Sequence, residues 1–303
     1  MNLDYKIRYL FKKVDPMDYN YSKYVNSVYR SLSMLKLIYQ YKNKSGSNNK
    51  NSNLENNGYA QINSEQNIFN SIYKQYLELS EKGEFNKAFK NSKKQFLNSY
   101  KIDLLNLENH IFLKFLFKNN ILDVINSYLG RYFTLNGAYI LYSKNEDFES
   151  GRSQELHQDG DAMKQLKVFV HLSDVDIHTG PLHVLSKDKS KIIFHDLLNK
   201  KLITKRSSKI SDDKLEKNFL EEVLPLTGPK GTINIVDTSN CYHYGSRPGT
   251  GIREILLFQF VSSFSYRTKF FPNKDLIQKS NQLNNLEINK INNIMKFSDL
   301  DSI

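Results

Sequence analysis

Between residues 132 and 264 the chain carries five short runs of β-branched and aromatic residues. They are "YFTLNGAYILYSK" (132–144), "LKVFVHLSDV" (166–175), "GPLHVLS" (180–186), "GTINIVD" (231–237) and "REILLFQFVSSF" (253–264). Gly, Pro, Asp and Asn punctuate them, as turn residues do between strands. Most have no helical segment between them, which points to an antiparallel sandwich or barrel rather than a parallel α/β sheet.

The flanks have a different texture. Residues 20–42 place Val25, Val28, Leu32 and Leu35 at helical spacing. The stretch 42–58, "KNKSGSNNKNSNLENNG", is asparagine-rich and aperiodic, so it is expected to be a loop or linker. Further helices are predicted between 65 and 130, the clearest being "NILDVINSYLG" (120–130), which ends on Gly130. Residues 188–224 form a lysine-rich, partly helical insertion. From 273 to 303, Leu276, Leu283, Leu286, Ile291 and Met295 again fall at helical spacing. The expected order is a helical N-terminal segment (1–110), a mainly β core (111–272) with the 188–224 insertion, and a C-terminal helix (273–303).

The formal charge of +11 permits anionic partners. Its lysines are scattered rather than gathered in a block, which argues against nucleic acid. A single cysteine, Cys241, excludes an internal disulfide framework and a multi-cysteine zinc site. "MNLDYKIRYLFKKVD" lacks the apolar stretch of a signal peptide, and no window has the run of about 18 apolar residues that a membrane span requires. A cytoplasmic protein is the expectation.

One stretch carries chemistry. In "ELHQDGD" (155–161), His157 and Asp159 stand two apart. Alone, His-x-Asp is a weak signal that a pair of exposed turn residues would give equally well. Downstream, "KGTINIVDTSNCYHYGSRPGTGIREILLFQF" (230–260) supplies a strand, a turn, His243, a Gly/Pro loop and a strand beginning with Arg253. Two imidazoles and one carboxylate are the facial triad that leaves positions open on Fe(II) for oxygen chemistry. Arg253 begins an apolar strand. It either faces inward, to grip the carboxylate of a small acid, or points to water with a surface partner.

"HQD" at 157–159, "VFVHLSDVDIHTGPLHVLS" at 168–186, and the Lys230-to-Arg253 segment with its histidine resemble, in that order, the phytanoyl-CoA dioxygenase family. The resemblance covers roughly residues 120–264. It implies a double-stranded β-helix (a jelly-roll, cupin-like barrel) and an Fe(II)- and 2-oxoglutarate-dependent dioxygenase using O2. It makes His157, Asp159 and His243 the iron ligands and Arg253 the residue holding the far carboxylate of 2-oxoglutarate, with Tyr142 either a further cosubstrate contact or a plain core tyrosine. It also implies that the cosubstrate leaves as succinate and CO2 and that an unactivated C–H is hydroxylated. Relatives that halogenate lack the carboxylate; with Asp159 present, hydroxylation is expected. The chain departs from the family where Thr179 precedes Gly180 and where "SKDK" (186–189) replaces a Pro-Gly-Ser-His motif.

Other residues allow two readings. His171 alternates with Phe169, so it either faces the site or is a satisfied wall histidine. His178 and His183 flank a turn and are expected to be exposed. Cys241 reads as a small packed side chain, and Asp237 is placed to orient the turn before His243. The substrate is expected to be a small or carrier-linked molecule. Lys187, Lys189, Lys191, Lys200, Lys201 and Lys205, on an insertion read as a lid, would suit an anionic one and would suit solubility equally well. Two alternatives stay open: a catalytically silent barrel that binds a ligand or partner, and a metal-dependent enzyme that uses no 2-oxoglutarate.

Overall fold

The computed structural model describes residues 52–83, 85, 96–130, 133–144, 152–160, 162, 164–204, 208–247, 249–262, 271 and 274–295. The helix expected over 20–42 and the first part of the 42–58 stretch lie outside them. The described chain begins with α1 (Ser52–Asn57), β1 (Tyr59–Asn63), α2 (Gln66–Glu81) and β2 (Asn98–Lys101). Next come α3 (His110–Lys118), α4 (Ile121–Leu129), β3 (Phe133–Ser143), β4 (Gln165–His171) and β5 (Leu182–Val184). Then follow α5 (Lys187–Asn199), α6 (Lys217–Glu221), β6 (Leu224–Leu226), β7 (Thr232–Val236), β8 (His243–Tyr244), β9 (Arg253–Ser262), α7 (Asp275–Gln278) and α8 (Asn285–Ile294).

Six strands form the major sheet in the order β1-β7-β4-β9-β3-β2, and three form a minor sheet, β6-β5-β8. Every pairing is antiparallel. The five runs expected to be strands become β3, β4, β5, β7 and β9.

The first 110 residues are not wholly helical, however. β1 pairs with β7 and β2 with β3, so both edges of the major sheet come from this segment. Part of the expected 42–58 loop is also ordered, since Ser52–Asn57 is helical with Leu54 buried. The C-terminal stripe forms two short helices rather than one. Ile291 and Met295 are buried there, but Leu286 is 65% exposed. No described helix is long and apolar enough to cross a membrane.

Strand side chains alternate between faces, and here the alternation sorts them by chemistry. One face of the major sheet presents Ala138, Ile140, Leu166, Val168, Val170, Ile233, Ile235, Leu256, Phe258 and Phe260, all buried. Apolar side chains of α2, α3, α4 and α8 cover it, among them Ile72, Phe112, Phe115, Ile125 and Ile291. Phe115 stacks on Phe258 at 6.3 Å between ring centroids. Burying a side chain of that size contributes about 2–3 kcal/mol.

The opposite face is mixed. It carries Gln165, Lys167, Phe169 and His171 on β4, Asn234 on β7, and Arg253, Ile255 and Gln259 on β9. The minor sheet packs on this side through Val184 and Leu226, which meet Val236 and Cys241. Among the described residues the two sheets remain separate ladders facing each other.

Candidate metal centre

Backbone pairing brings the candidate ligands together. His157 N donates to His243 O at 3.0 Å, and His243 N donates to His157 O at 2.9 Å. Residues paired in this way project to the same face, and the two imidazole centroids lie 4.4 Å apart. Asp159, two residues on, returns to that side and is held by its N–H, which donates to Thr238 O at 2.8 Å. One donor atom from each of His157, Asp159 and His243 lies within 4.8 Å of the others.

The tautomers follow from the second nitrogens. His157 Nδ1 is 2.8 Å from Glu155 O, and His243 Nδ1 is 3.0 Å from Cys241 O. A carbonyl only accepts, so each Nδ1 carries the hydrogen and each Nε2 presents a lone pair. Those Nε2 atoms lie 4.0 and 3.7 Å from Asp159 oxygens.

Burial pushes His243 down to about 3, helped by His157 and Lys167, and burial likewise lowers His157. Burial opposes ionisation of Asp159, but Lys167, His243 and His157 together hold its carboxyl well below the usual range. At neutral pH the cluster is two neutral imidazoles and one carboxylate. That donor set fits a ferrous ion with open positions.

Two neighbours of Asp159 were not foreseen from the sequence. Lys167 Nζ lies 2.7 Å from Asp159 Oδ2, and Gln165 Nε2 donates to the same oxygen at 2.9 Å. Gln165 also donates to Thr238 Oγ1 at 2.7 Å, tying β4 to the turn that holds Asp159 N. The available signal was parity: in "QLKVFVH", Gln165 and Lys167 alternate on the same side as His171.

Arg253 faces inward and is 6% exposed. Its Nη2 donates to Ser246 Oγ, its Nε has no hydrogen-bond partner, and burial alone pushes its pKa down to about 10. No carboxylate pairs with it among the described residues. The guanidinium lines a small cavity with Leu141, Phe169, His171, Leu182 and Asn234. A buried cation without a counter-charge is costly to fold around, and the cavity beside it is where an anion would offset that cost.

His171 is both of its readings at once. It lines the cavity, and its ring is satisfied, with Nδ1 donating to Gly228 O at 3.2 Å and Nε2 facing Asn234 Nδ2 at 3.0 Å. Asp237 orients the turn as expected: its carboxylate accepts from the Ser239 and Asn240 N–H groups, each at 3.2 Å. Cys241 is buried between the sheets. His178 is exposed, but His183 is half-buried and stacked on Tyr244 at 4.5 Å.

Two expectations are corrected. Tyr142 pairs with Glu254, whereas the cavity residues Leu141 and Arg253 pair with Ile255 and Ser143. Tyr142 therefore projects from the helix-covered side, near Tyr76 and Glu254, and not into the cavity. The lysine-rich insertion is not seen as a lid. α5 packs Ile193 and Leu197 against Leu156, Leu185 and Tyr242, on the side of the minor sheet turned away from His243. There Lys189 pairs with Glu222 at 2.9 Å, and Lys200 pairs with Asp196 at 2.8 Å and Glu216 at 2.9 Å. Lys205 lies outside the described residues.

No protein-family model matches the chain. No curated protein matches it in sequence. Solved structures align with it in three dimensions. EctD from S. alaskensis, with 2-oxoglutarate and 5-hydroxyectoine, aligns at a TM-score of 0.50 with 14% identity, covering 69% of this chain and 73% of EctD. HygX from Streptomyces hygroscopicus, with nickel and 2-oxoglutarate bound, aligns at 0.48 with 12% identity, covering 73% of this chain and 88% of HygX. SnoN, a non-heme alpha-ketoglutarate-dependent epimerase from nogalamycin biosynthesis, aligns at 0.46 with 12% identity, covering 70% and 81% respectively. The EctD likeness shows a shared fold.

Proposed function

We propose that the protein is an Fe(II)- and 2-oxoglutarate-dependent dioxygenase built on a double-stranded β-helix, akin to the phytanoyl-CoA dioxygenases. His157, Asp159 and His243 hold the iron. Arg253, with the Ser246 hydroxyl, grips the far carboxylate of 2-oxoglutarate. The observation that carries this reading is the buried convergence of two lone-pair-bearing Nε2 atoms on one ionised carboxylate. The shared fold of EctD, whose structure contains 2-oxoglutarate, supports it.

When bound, iron and 2-oxoglutarate supply the oxidative chemistry with O2, yielding succinate, CO2 and a hydroxylated C–H of the substrate. The protein's own groups do the positioning. The Glu155 and Cys241 carbonyls fix the two imidazoles, the Thr238 carbonyl and the Gln165 amide orient Asp159, and the inter-sheet cluster excludes water. The substrate is a small or carrier-linked molecule, and the setting is the cytoplasm. An anionic substrate draws no support from Lys189 and Lys200, whose charges are met by neighbouring acids.

One observation favours a second reading, a silent barrel that binds a ligand or partner. The Lys167 ammonium sits against the very carboxylate that would bind the metal, and such a pair can stand in for a lost ion. Anaerobic titration with Fe(II), then 2-oxoglutarate, separates the two. The dioxygenase gives the visible charge-transfer band of a chelated keto acid, lost in His157→Ala and weakened in Arg253→Ala. Folded wild-type protein that gives no band and takes up no Fe(II) supports the silent barrel, whereas Fe(II) uptake without the band points to a metal enzyme that uses no 2-oxoglutarate.

A further inference from the structure

Along the inner face of β4 the residues run His171, Phe169, Lys167, Gln165. The first two line the cavity beside Arg253, and the last two bond to Asp159 Oδ2. Lys167 therefore stands between the cavity and the candidate ligands. A guanidinium and an ammonium bracket this stretch, with Phe169 between them, and a dicarboxylic keto acid has two carboxylates to offer.

We propose that Lys167 selects the charge of what the centre takes up, disfavouring a lone divalent metal ion and favouring the dianionic keto acid that joins it. The inference rests on the iron/2-oxoglutarate reading above. Its physical basis is charge balance. Two neutral imidazoles and Asp159 present a net single negative charge, which the Lys167 ammonium cancels. A dication then enters a donor set with no net charge and, in doing so, competes with Lys167 for Asp159. Once the metal is in place, the same ammonium attracts the incoming dianion. Like and unlike charges at such short range in a buried site change affinities strongly. Gln165 holds Asp159 Oδ2 alongside Lys167 and supplies no charge, so the effect belongs to the lysine.

The test is calorimetry on the full chain with Mn(II), a stand-in that O2 does not turn over, and then with 2-oxoglutarate added to Mn(II)-loaded protein. In Lys167→Met the Mn(II) Kd should fall about tenfold and the 2-oxoglutarate Kd should rise about tenfold. Lys167→Arg, which keeps the charge, should stay near wild type on both. Opposite movement of the two constants is the signature, because a merely structural lysine would weaken both on removal. If both constants rise together, or neither moves, in a protein whose wild type binds both ligands, the proposal is overturned and the metal reading stands. If wild-type protein takes up no Mn(II), both fall. Circular dichroism checks folding, and Lys167→Gln replaces the Met variant should that one not fold.

Discussion

The Tyr128 hydroxyl donates to Asp237 Oδ2 at 2.6 Å, across 109 residues of sequence. This joins the end of α4 to the turn between β7 and β8. Asp237 is fully buried, and its carboxylate organises residues 237–240 by accepting from two backbone N–H groups and from the Asn240 amide at 2.9 Å. The same turn carries Thr238, whose carbonyl holds Asp159 N. A tyrosine from the helical layer thus fixes the loop on which a candidate ligand hangs.

Tyr128→Phe deletes a hydrogen bond to a buried carboxylate and should cost about 2 kcal/mol of unfolding free energy. Urea denaturation measures it. Mn(II) affinity should weaken in the same variant although no ligand is touched. Unchanged stability would show that the Asn240 amide and the backbone suffice for Asp237.

Arg253→Met removes a buried guanidinium that has no carboxylate partner among the described residues. The ligand-free protein should gain about 1–3 kcal/mol, the desolvation cost of an unpaired cation. 2-oxoglutarate should raise the Tm of metal-loaded wild type and raise that of the variant much less. Differential scanning fluorimetry with and without the keto acid reads both effects, and a lower Tm for the ligand-free variant would contradict the first.

Gly58 adopts φ +81°, and a Cβ built there would clash with Cys241 Sγ. Gly58→Ala should therefore destabilise by about 2–4 kcal/mol, combining left-handed strain with overpacking. Cys241→Ala in the same chain removes the sulfur and should recover part of the loss. The strain persists, so recovery stays incomplete. A double-mutant cycle by chemical denaturation gives the split.

Acid should unfold the metal-free protein earlier than its carboxylates alone require. Burial holds His171 at about 4 and lowers His110 as well, whereas both titrate near 6.5 in the unfolded chain. The unfolded state then binds more protons than the folded state as pH drops below 6.5, so stability falls with pH from that point. For His171 the loss continues down to about pH 4. Asp159, whose carboxyl is depressed, adds a loss of the same sign only near and below its unfolded value of 3.8. Midpoints recorded between pH 7.5 and 5 should drop in wild type and drop less in His171→Gln.

The β core was legible because β-branched runs and turn residues mark strands locally, and the His-x-Asp pair stood out because both candidate ligands lie in one short segment. β1 and β2 were not legible. "YAQIN" and "NSYK" are short, polar edge strands whose pairing with β7 and β3 is set by tertiary contact rather than by their own pattern. Arg253 could be named but not aimed, since one residue of register moves a side chain to the opposite face. The same rule misdirected Tyr142: counting by twos from Ile140, a helix-facing residue, places it on the apolar side. Lys167 was passed over because a lysine in a strand reads as a solvated residue until the sheet facing it is known.

The division of each strand into a core-facing and a cavity-facing series has an evolutionary consequence. Selection for folding acts on Val168 and Leu256, while selection for what the cavity admits acts on their sequence neighbours Phe169 and Ile255. The two sets interleave along the chain yet share no positions. A gene library of apolar substitutions at Leu141, Phe169 and Ile255 would redraw the cavity wall while leaving the helix-packed face intact, so most of its members should remain folded. What the cavity beside Arg253 admits can thus change while the architecture beneath it stays put.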